Sequence, residues 1–359
     1  MAEDEKYMRR CLQLARNGFY GAAPNPMVGA VLVREGKIIG EGYHVCCGGP
    51  HAEVNAIRSV RDENLLRDCT LYVSLEPCAH YGKTPPCADL IVEKGIPRVV
   101  VGCLDPFAKV SGRGIRKLQA AGIDVKTGVL EEECTALNCH FMTFQANHRP
   151  YITLKWAESA DGFMDKRTEP SSQASAFVFS TPYTQMLVHR LRSAHQAIMI
   201  GTGTALADNP TLTNRLWAGN SPLRLVLDRQ GCLPQSLRLF CDGNATRVYV
   251  NRSVSPTSYE GLPGVTVVRL DFSCDVLPQV MEDLCGLSVQ SLLIEGGARL
   301  LESFLAAGLY DEIRIEQAPA VLATGVRAPE KPKGRWWSEQ IDGNRIIHLY
   351  PFAGHSQRM

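Results

Sequence analysis

Two α/β domains in tandem are the architecture this sequence predicts. Three features predict it. The chain has 359 residues, more than a single core usually serves, so two domains are the starting expectation. Apolar runs of strand length alternate with segments of helical spacing in both halves, the pattern of layered α/β domains. Residues 144–150, Phe-Gln-Ala-Asn-His-Arg-Pro, read as a linker, after which the alternation starts afresh. The domains are therefore placed at 1–146 and 147–359.

In the first half, Tyr7, Met8, Cys11, Leu12 and Ala15 follow helical spacing and stop near Asn17-Gly18. Pro24-Asn25-Pro26 is a rigid loop. Residues 27–33 and 37–42 read as the strands of a hairpin turning at Arg34-Glu35-Gly36. A Gly-rich loop over 44–50 leads into a helix over 51–60, with Val54 and Ile57 on one face. A buried strand follows over 70–75, then a loop over 78–86 and a helix over 87–94. The half closes with a strand over 98–102, a helix over 115–121, a short strand over 124–127 and one helix over 130–144. In the second half, 151–156 is a strand with alternating apolar positions and Asp161-Gly162 is a turn. Further strands are read over 197–201, 223–228, 247–251, 265–270 and 291–295, and helices over 180–193, 276–286 and 298–307.

Composition excludes several classes. The apolar fraction of 45% and charged fraction of 21% are ordinary for a soluble protein. A formal net charge of +1 gives no electrostatic reason to expect nucleic acid or an anionic membrane as partner. The acidic start Met1-Ala2-Glu3-Asp4-Glu5-Lys6 has no apolar signal region, and no run of about 20 apolar residues exists. Thirteen cysteines, odd in number and irregular in spacing, fit reduced cytoplasmic thiols better than a disulfide framework. Cys11, Cys69, Cys103, Cys139 and Cys285 lie in apolar surroundings and read as small core residues.

The chemistry concentrates in two segments, His51-Ala52-Glu53 and Pro77-Cys78-Ala79-His80-Tyr81-Gly82-Lys83-Thr84-Pro85-Pro86-Cys87. His51, Cys78 and Cys87 offer zinc one imidazole and two thiolates, leaving the fourth tetrahedral position open, as a catalytic site requires. Glu53 is left to move protons, the arrangement of zinc deaminases. Residues two apart on a helix point roughly 200° from one another, so His51 and Glu53 share a site only at a helix N-terminus. Pro50 supports a helix start there, and Cys87 opens another after Pro85-Pro86. The alternative is a structural zinc knuckle with Cys46, Cys47 or His80 as fourth ligand. In the second half, Gly201-x-Gly203 lacks the third glycine of a dinucleotide fingerprint. Glu295-Gly296-Gly297, after a buried strand and before a helix, is better placed to cradle a phosphate; taken alone it reads first as a tight strand–helix turn.

These motifs resemble the bifunctional riboflavin-biosynthesis enzymes in which a pyrimidine deaminase is fused to a reductase. The likeness is carried by the long Cys loop, Pro24-Asn25-Pro26-x-Val28-Gly29, Gly42-Tyr43-His44, Asp105-Pro106 and Gly112-x-Gly114. In the second half it is carried by Lys155-x-x-x-Ser159-x-Asp161-Gly162 and by the run from Gly201 to Arg215. The resemblance implies a cytidine-deaminase-like α/β/α sandwich followed by a dihydrofolate-reductase-like α/β domain. It implies one zinc per chain, and NADPH in the reductase domain. The implied reactions are deamination of a phosphorylated pyrimidine, a diaminopyrimidinone ribosyl phosphate, then reduction of its ribosyl group to a ribityl chain. It further implies Asn25, His44, His80 and Lys83 as substrate contacts of the deaminase. Lys155, Arg192, Leu212, Arg215 and Glu295 are the implied substrate contacts of the reductase. Glu158, Thr204, Asp208, Arg229, Gly297, Ala298, Arg299, Leu300, Leu301, Glu302 and Ser303 are the implied cofactor contacts. A homo-oligomer is expected on the same ground.

The chain departs from the family pattern at a few positions. Val178 stands where a tryptophan falls, Ala176 where a serine contacts substrate, and Arg229 where a serine is common. Pro319-Ala320-Val321-Leu322-Ala323-Thr324-Gly325 fits the pattern only loosely. Arg229 is read as a ligand for the 2′-phosphate of NADPH. Two other readings are kept: a nucleoside or tRNA deaminase with a degenerate reductase domain, and a zinc-stabilised binding protein.

Overall fold

The structure is a computed structural model, described over residues 3–79, 85–106, 112–166, 177–255 and 258–350. Among these residues the chain forms two units, one up to His148 and one from Arg149.

The first unit comprises α1 (Glu3–Ala15), β1 (Gly29–Arg34), β2 (Lys37–Tyr43), α2 (Ala52–Arg58), β3 (Thr70–Leu75), α3 (Cys87–Glu93), β4 (Arg98–Cys103), α4 (Arg113–Ala120), β5 (Asp124–Lys126), α5 (Glu131–Leu137) and α6 (Cys139–Asn147). Its five strands run in the order β2-β1-β3-β4-β5. β1 is antiparallel to β2 and β3, while β3, β4 and β5 are parallel. The β1–β2 turn places Glu35 and Gly36 at φ 49° and 72°, the left-handed pair that a two-residue hairpin requires. Side chains then alternate between two cores, as the period of a strand dictates. Ala30, Leu32, Leu71, Val73, Val99 and Val101 pack with Ala56 and Ile57 of α2 and Ile91 of α3. Val31, Val33, Tyr72 and Val100 pack with Met8, Cys11 and Leu12 of α1 on the other side. The result is an α/β/α sandwich.

Two expectations need correction here. The closing helix is broken at Asn138. Its side chain accepts from the Met27 N–H (2.8 Å) and donates to the Met27 carbonyl (2.9 Å), which tertiary pairing outweighs helix continuity. α6 then runs to Asn147, so the linker is shorter than the sequence suggested. Among the cysteines read as core, Cys139 and Cys285 are only half-buried.

The second unit comprises β6 (Tyr151–Glu158), β7 (Phe163–Asp165), α7 (Pro182–Ala194), β8 (Ala197–Gly201), α8 (Thr202–Asp208), β9 (Leu223–Leu227), β10 (Thr246–Asn251), β11 (Val265–Leu270), α9 (Leu277–Gly286), β12 (Ser291–Glu295), α10 (Ala298–Ala306), β13 (Glu312–Gln317), β14 (Val326–Arg327), β15 (Trp336–Ile341) and β16 (Asn344–Leu349). Nine strands form one sheet in the order β11-β10-β9-β8-β12-β6-β13-β16-β15, and β14 pairs with β7 apart from it. The strands from β11 to β13 are parallel; β16 and β15 close the sheet antiparallel. Ile152, Leu154 and Trp156 of β6 enter one core with α9 and α10. α7 starts at a capping box on Thr181 and Thr184, with Pro182 in its first turn.

β13 was not anticipated. Its sequence Glu-Ile-Arg-Ile-Glu-Gln looks like a half-exposed edge strand, yet it lies inside the sheet with Glu312 and Glu316 buried. Burial pushes the Glu312 carboxyl up to about 7. A carboxyl with a raised folded pKa binds a proton that the unfolded chain has released, so its contribution to stability is present below about 4.5 and is lost as pH rises through about 7. Glu312→Gln is therefore expected to remove on the order of 3 kcal/mol of the stability difference between pH 4.5 and pH 8. Urea unfolding of both proteins across that range measures it; parallel pH profiles would contradict it.

Candidate active sites

The first site assembles at the C-terminal end of β3 and the N-termini of two helices. His51 is the N-cap of α2 in extended conformation, and Glu53 sits in that helix's first turn, buried. α2 lies directly on the β2 backbone: a Cβ on Gly42 would come within 2.3 Å of the Ala56 nitrogen, so a side chain there would displace the helix that carries Glu53. After β3, the Glu76 carboxylate accepts from the N–H groups of Gly112 (2.9 Å) and Gly114 (3.0 Å), fixing the chain just before Cys78. Cys87 opens α3, and its N–H donates to the Cys78 sulfur (3.3 Å).

The three proposed ligand atoms converge. His51 Nδ1 lies 3.6 Å from Cys78 Sγ and 3.3 Å from Cys87 Sγ, and all three atoms are within 4.8 Å of one another. Tetrahedral zinc with ordinary bond lengths sets N···S edges of about 3.6 Å, so the set fits the ion. The charge state agrees. The two thiols are tied by a hydrogen bond that drives the Cys78 pKa down and the Cys87 pKa up, so without a cation only one is a thiolate. A divalent cation lets both ionise. The hydrogen bond to Cys78 also raises the pKa of His51. Burial pushes the Glu53 carboxyl up to about 7, with the negative charge at Cys78 adding to it.

Asn25 and His44 join this cluster. The His44 ring meets that of His51 edge-on at 5.5 Å. His44 Nδ1 hydrogen-bonds the Pro50 carbonyl (3.0 Å), so it carries the proton, and Nε2 accepts from the Asn25 amide (3.1 Å). Burial lowers the His44 pKa and keeps the ring neutral. Cys46 and Cys47 are exposed and stand outside the three-ligand cluster. His80 and Lys83 lie outside the described residues, as does Ala176.

The second site gathers at the C-terminal ends of β6 and β12. Glu295 ends β12, level with Lys155 on β6. Arg192 of α7 forms a two-point ion pair with Glu295, at 3.1 and 2.6 Å, and donates to the Thr213 carbonyl. Facing Arg192 lowers the Glu295 pKa against the effect of its burial. The loop after α8 carries Leu212, buried at φ 54°, and Arg215, whose guanidinium reaches Thr211 Oγ1 (3.2 Å). Thr204 lies against the glycine turn: a Cβ on Gly297 would come within 2.9 Å of its Oγ1. Gly296 and Gly297 take φ 84° and 75°, freeing the α10 N-terminus for a close approach. α10 begins at Ala298 and carries Arg299, Leu300, Leu301, Glu302 and Ser303; Leu300 and Leu301 are buried. Asp208 ends α8. The Glu158 carboxylate is engaged internally by Trp156, Gln317 and Lys331. Val178 is 74% exposed.

One residue of this site escaped the sequence reading. His189 is buried, and its Nδ1 accepts from the Arg215 N–H (3.0 Å). Burial first, then Arg192 and Arg215, lower its pKa to about 4. The available signal was its helical spacing of three from Arg192.

Comparisons with known proteins follow the same division. Residues 1–103 match the cytidine and deoxycytidylate deaminase zinc-binding region, and residues 150–333 match the RibD C-terminal domain. The riboflavin biosynthesis protein RibD of Aquifex aeolicus is 39% identical over 324 residues, 90% of this chain and 89% of the relative. The chain belongs to the RibD family. RibD from Acinetobacter baumannii has a similar solved structure, with a TM-score of 0.85 at 32% identity over 98% of this chain and 99% of that one. A Thermotoga maritima structure described as a diaminohydroxyphosphoribosylaminopyrimidine deaminase and 5-amino-6-(5-phosphoribosylamino)uracil reductase has the same TM-score of 0.85 at 35% identity, covering 98% and 99%. Membership in the RibD family makes this a bifunctional riboflavin-biosynthesis enzyme, a deaminase with a zinc-binding region and a reductase in one chain. No helix among the described residues is long and apolar enough to cross a membrane.

Proposed function

We propose that the first unit hydrolytically deaminates the diaminopyrimidinone ribosyl phosphate and that the second reduces the product's ribosyl group with NADPH. One observation carries this reading: His51, Cys78 and Cys87 converge around buried Glu53 in a chain whose other half matches a RibD reductase domain.

When bound by His51, Cys78 and Cys87, zinc supplies the Lewis acidity that makes hydroxide available near neutral pH. Glu53 takes one proton from the attacking water and passes it to the ring nitrogen, then takes the second from the newly added hydroxyl and passes it to the amine, which leaves as ammonia as the C–N bond breaks. Its raised pKa suits both directions of transfer. Because His44 fixes the Asn25 amide by its N–H, the Asn25 oxygen is left to accept from the substrate's amino groups. His80 and Lys83 are proposed substrate contacts by family likeness. In the second unit, NADPH supplies the hydride for the ribosyl C1. Arg192, held by Glu295, and Arg215, held through its backbone by His189, bind the phosphorylated substrate beside Lys155. Thr204, Asp208 and the residues from Gly297 to Ser303 hold the cofactor.

Thirteen free cysteines support a reducing, cytoplasmic setting. A homo-oligomer is proposed from the family likeness alone. The discriminating experiment offers the full chain three substrates: the diaminopyrimidinone phosphate, cytidine and tRNA. Ammonia is expected from the first only. Turnover of cytidine or tRNA adenosine instead would replace this reading with that of a nucleoside or tRNA deaminase.

A further inference from the structure

The loop between α8 and β9 carries Leu212 and Arg215, and its backbone is tied at three points two residues apart. Arg224 of β9 donates to the Thr211 carbonyl (3.2 Å), and Arg192 of α7 donates to the Thr213 carbonyl (3.2 Å). The Arg215 N–H donates to His189 Nδ1 (3.0 Å). The loop needs such ties. Asn209 and Leu212 stand at φ 42° and 54°, left-handed positions that non-glycine residues keep only where their surroundings hold them. Within the loop, Thr211 Oγ1 accepts from Thr213 Oγ1 (3.1 Å) and from the Arg215 guanidinium.

Arg224 is buried, and all five of its N–H bonds have acceptors. Nε donates to Thr246 Oγ1 (3.0 Å). The two Nη groups donate to both Asp242 carboxylate oxygens (2.8 and 2.7 Å), to the Asn244 carbonyl (2.9 Å) and to the Thr211 carbonyl. A buried guanidinium satisfied on every N–H has one orientation, so it fixes the Thr211 carbonyl relative to β9. His189 does the same from α7. A ring nitrogen that accepts from a backbone N–H carries no proton, so the neutral imidazole holds its proton on Nε2. The same helix places Arg190 over the Trp217 ring, 5.4 Å from its centroid, which extends the grip two residues past Arg215. Arg192 also reaches Glu295, so the tie at Thr213 joins the loop to the end of β12.

We infer that Arg224 and His189 are positioning residues of the reductase. They hold the backbone of residues 211–215 in its strained form, so that Leu212 and Arg215 meet the phosphorylated substrate without a separate ordering step. The inference rests on the reading of Leu212 and Arg215 as substrate contacts, and the test separates the two.

The full chain is supplied with NADPH and the deaminated intermediate, and reductase kcat and KM are measured beside amide hydrogen exchange over residues 211–217. Arg224→Lys keeps a charge for Asp242 but loses the fork that reaches Thr211. His189→Leu keeps bulk but removes the acceptor for Arg215, and His189→Asn keeps an acceptor at the same distance along the side chain. In Arg224→Lys and His189→Leu, exchange over the loop quickens and KM rises roughly 3- to 10-fold, while kcat falls by less than about 2-fold. His189→Asn recovers most of both. If Arg224→Lys fails to fold by circular dichroism, the two His189 variants decide. Unchanged KM in the folded variants, loss confined to kcat, or no recovery in His189→Asn overturns the inference. Arg215→Ala distinguishes the failures. A raised KM there with none in His189→Leu removes this inference alone. An unchanged KM in Arg215→Ala removes the reading of Arg215 as a substrate contact, and this inference with it.

Discussion

Glu53→Gln is expected to reduce ammonia release by roughly 10³-fold or more while leaving bound zinc and the fold in place. The amide is nearly isosteric with the acid but can neither take a proton from water nor deliver one to the leaving amine. No compensating collapse of the site is expected, because Glu53 is buried and its charged form is already disfavoured there. Replacing it removes a group that folding holds against desolvation, so thermal stability stays level or rises. Ammonia release under saturating substrate, with zinc counted on the same sample, measures this. Retention of more than about a tenth of the activity would show that another group moves the proton. Loss of zinc in parallel would show that Glu53 is a ligand.

Cys87→Ser is expected to remove zinc and deamination together. The thiolate is one of the three proposed ligands, and a hydroxyl at that position stays protonated and binds zinc poorly. Metal content should fall from one ion per chain to a small fraction, and ammonia release with it. The reductase is expected to survive, since the second unit builds its cores from its own strands and helices. A chelator should act the same way on the unaltered protein: ammonia release stops, while reduction of a supplied deaminated intermediate continues. Full metal content in Cys87→Ser would contradict the proposed ligand set, and a collapse of both activities would contradict the independence of the two steps.

The two sites were not equally legible in the sequence. The convergence of His51, Cys78 and Cys87 could be read because local rules place it. His51-x-Glu53 needs a helix N-terminus, Pro50 provides one, and Pro85-Pro86 provides a second for Cys87. Most strands and helices were legible for the same reason, since each carries its own periodicity and its own stops. The break at Asn138 was not, because its cause is Met27, far away in the chain. β13 was missed because its charged face is buried by neighbouring strands that no local pattern announces. The reductase site falls between these cases. Family likeness named Arg192 and Glu295, but only the fold joins them, 103 residues apart, as one ion pair. His189 had no chemical signature of its own; it matters through the Arg215 backbone. Glu76, which fixes the approach to Cys78, sat next to the most conspicuous motif of the chain and was passed over because its partners are backbone N–H groups.

The central claim is that one chain performs both steps on one substrate. Its most direct test supplies the full, zinc-loaded chain with the diaminopyrimidinone ribosyl phosphate and NADPH, and counts ammonia released and NADPH oxidised in the same reaction. The account predicts about one of each per substrate consumed, with no NADPH oxidised when deamination is blocked by Glu53→Gln and full oxidation restored by the deaminated intermediate. Ammonia without NADPH oxidation would reduce the second unit to a remnant. Neither signal, with zinc bound, would contradict the account as a whole.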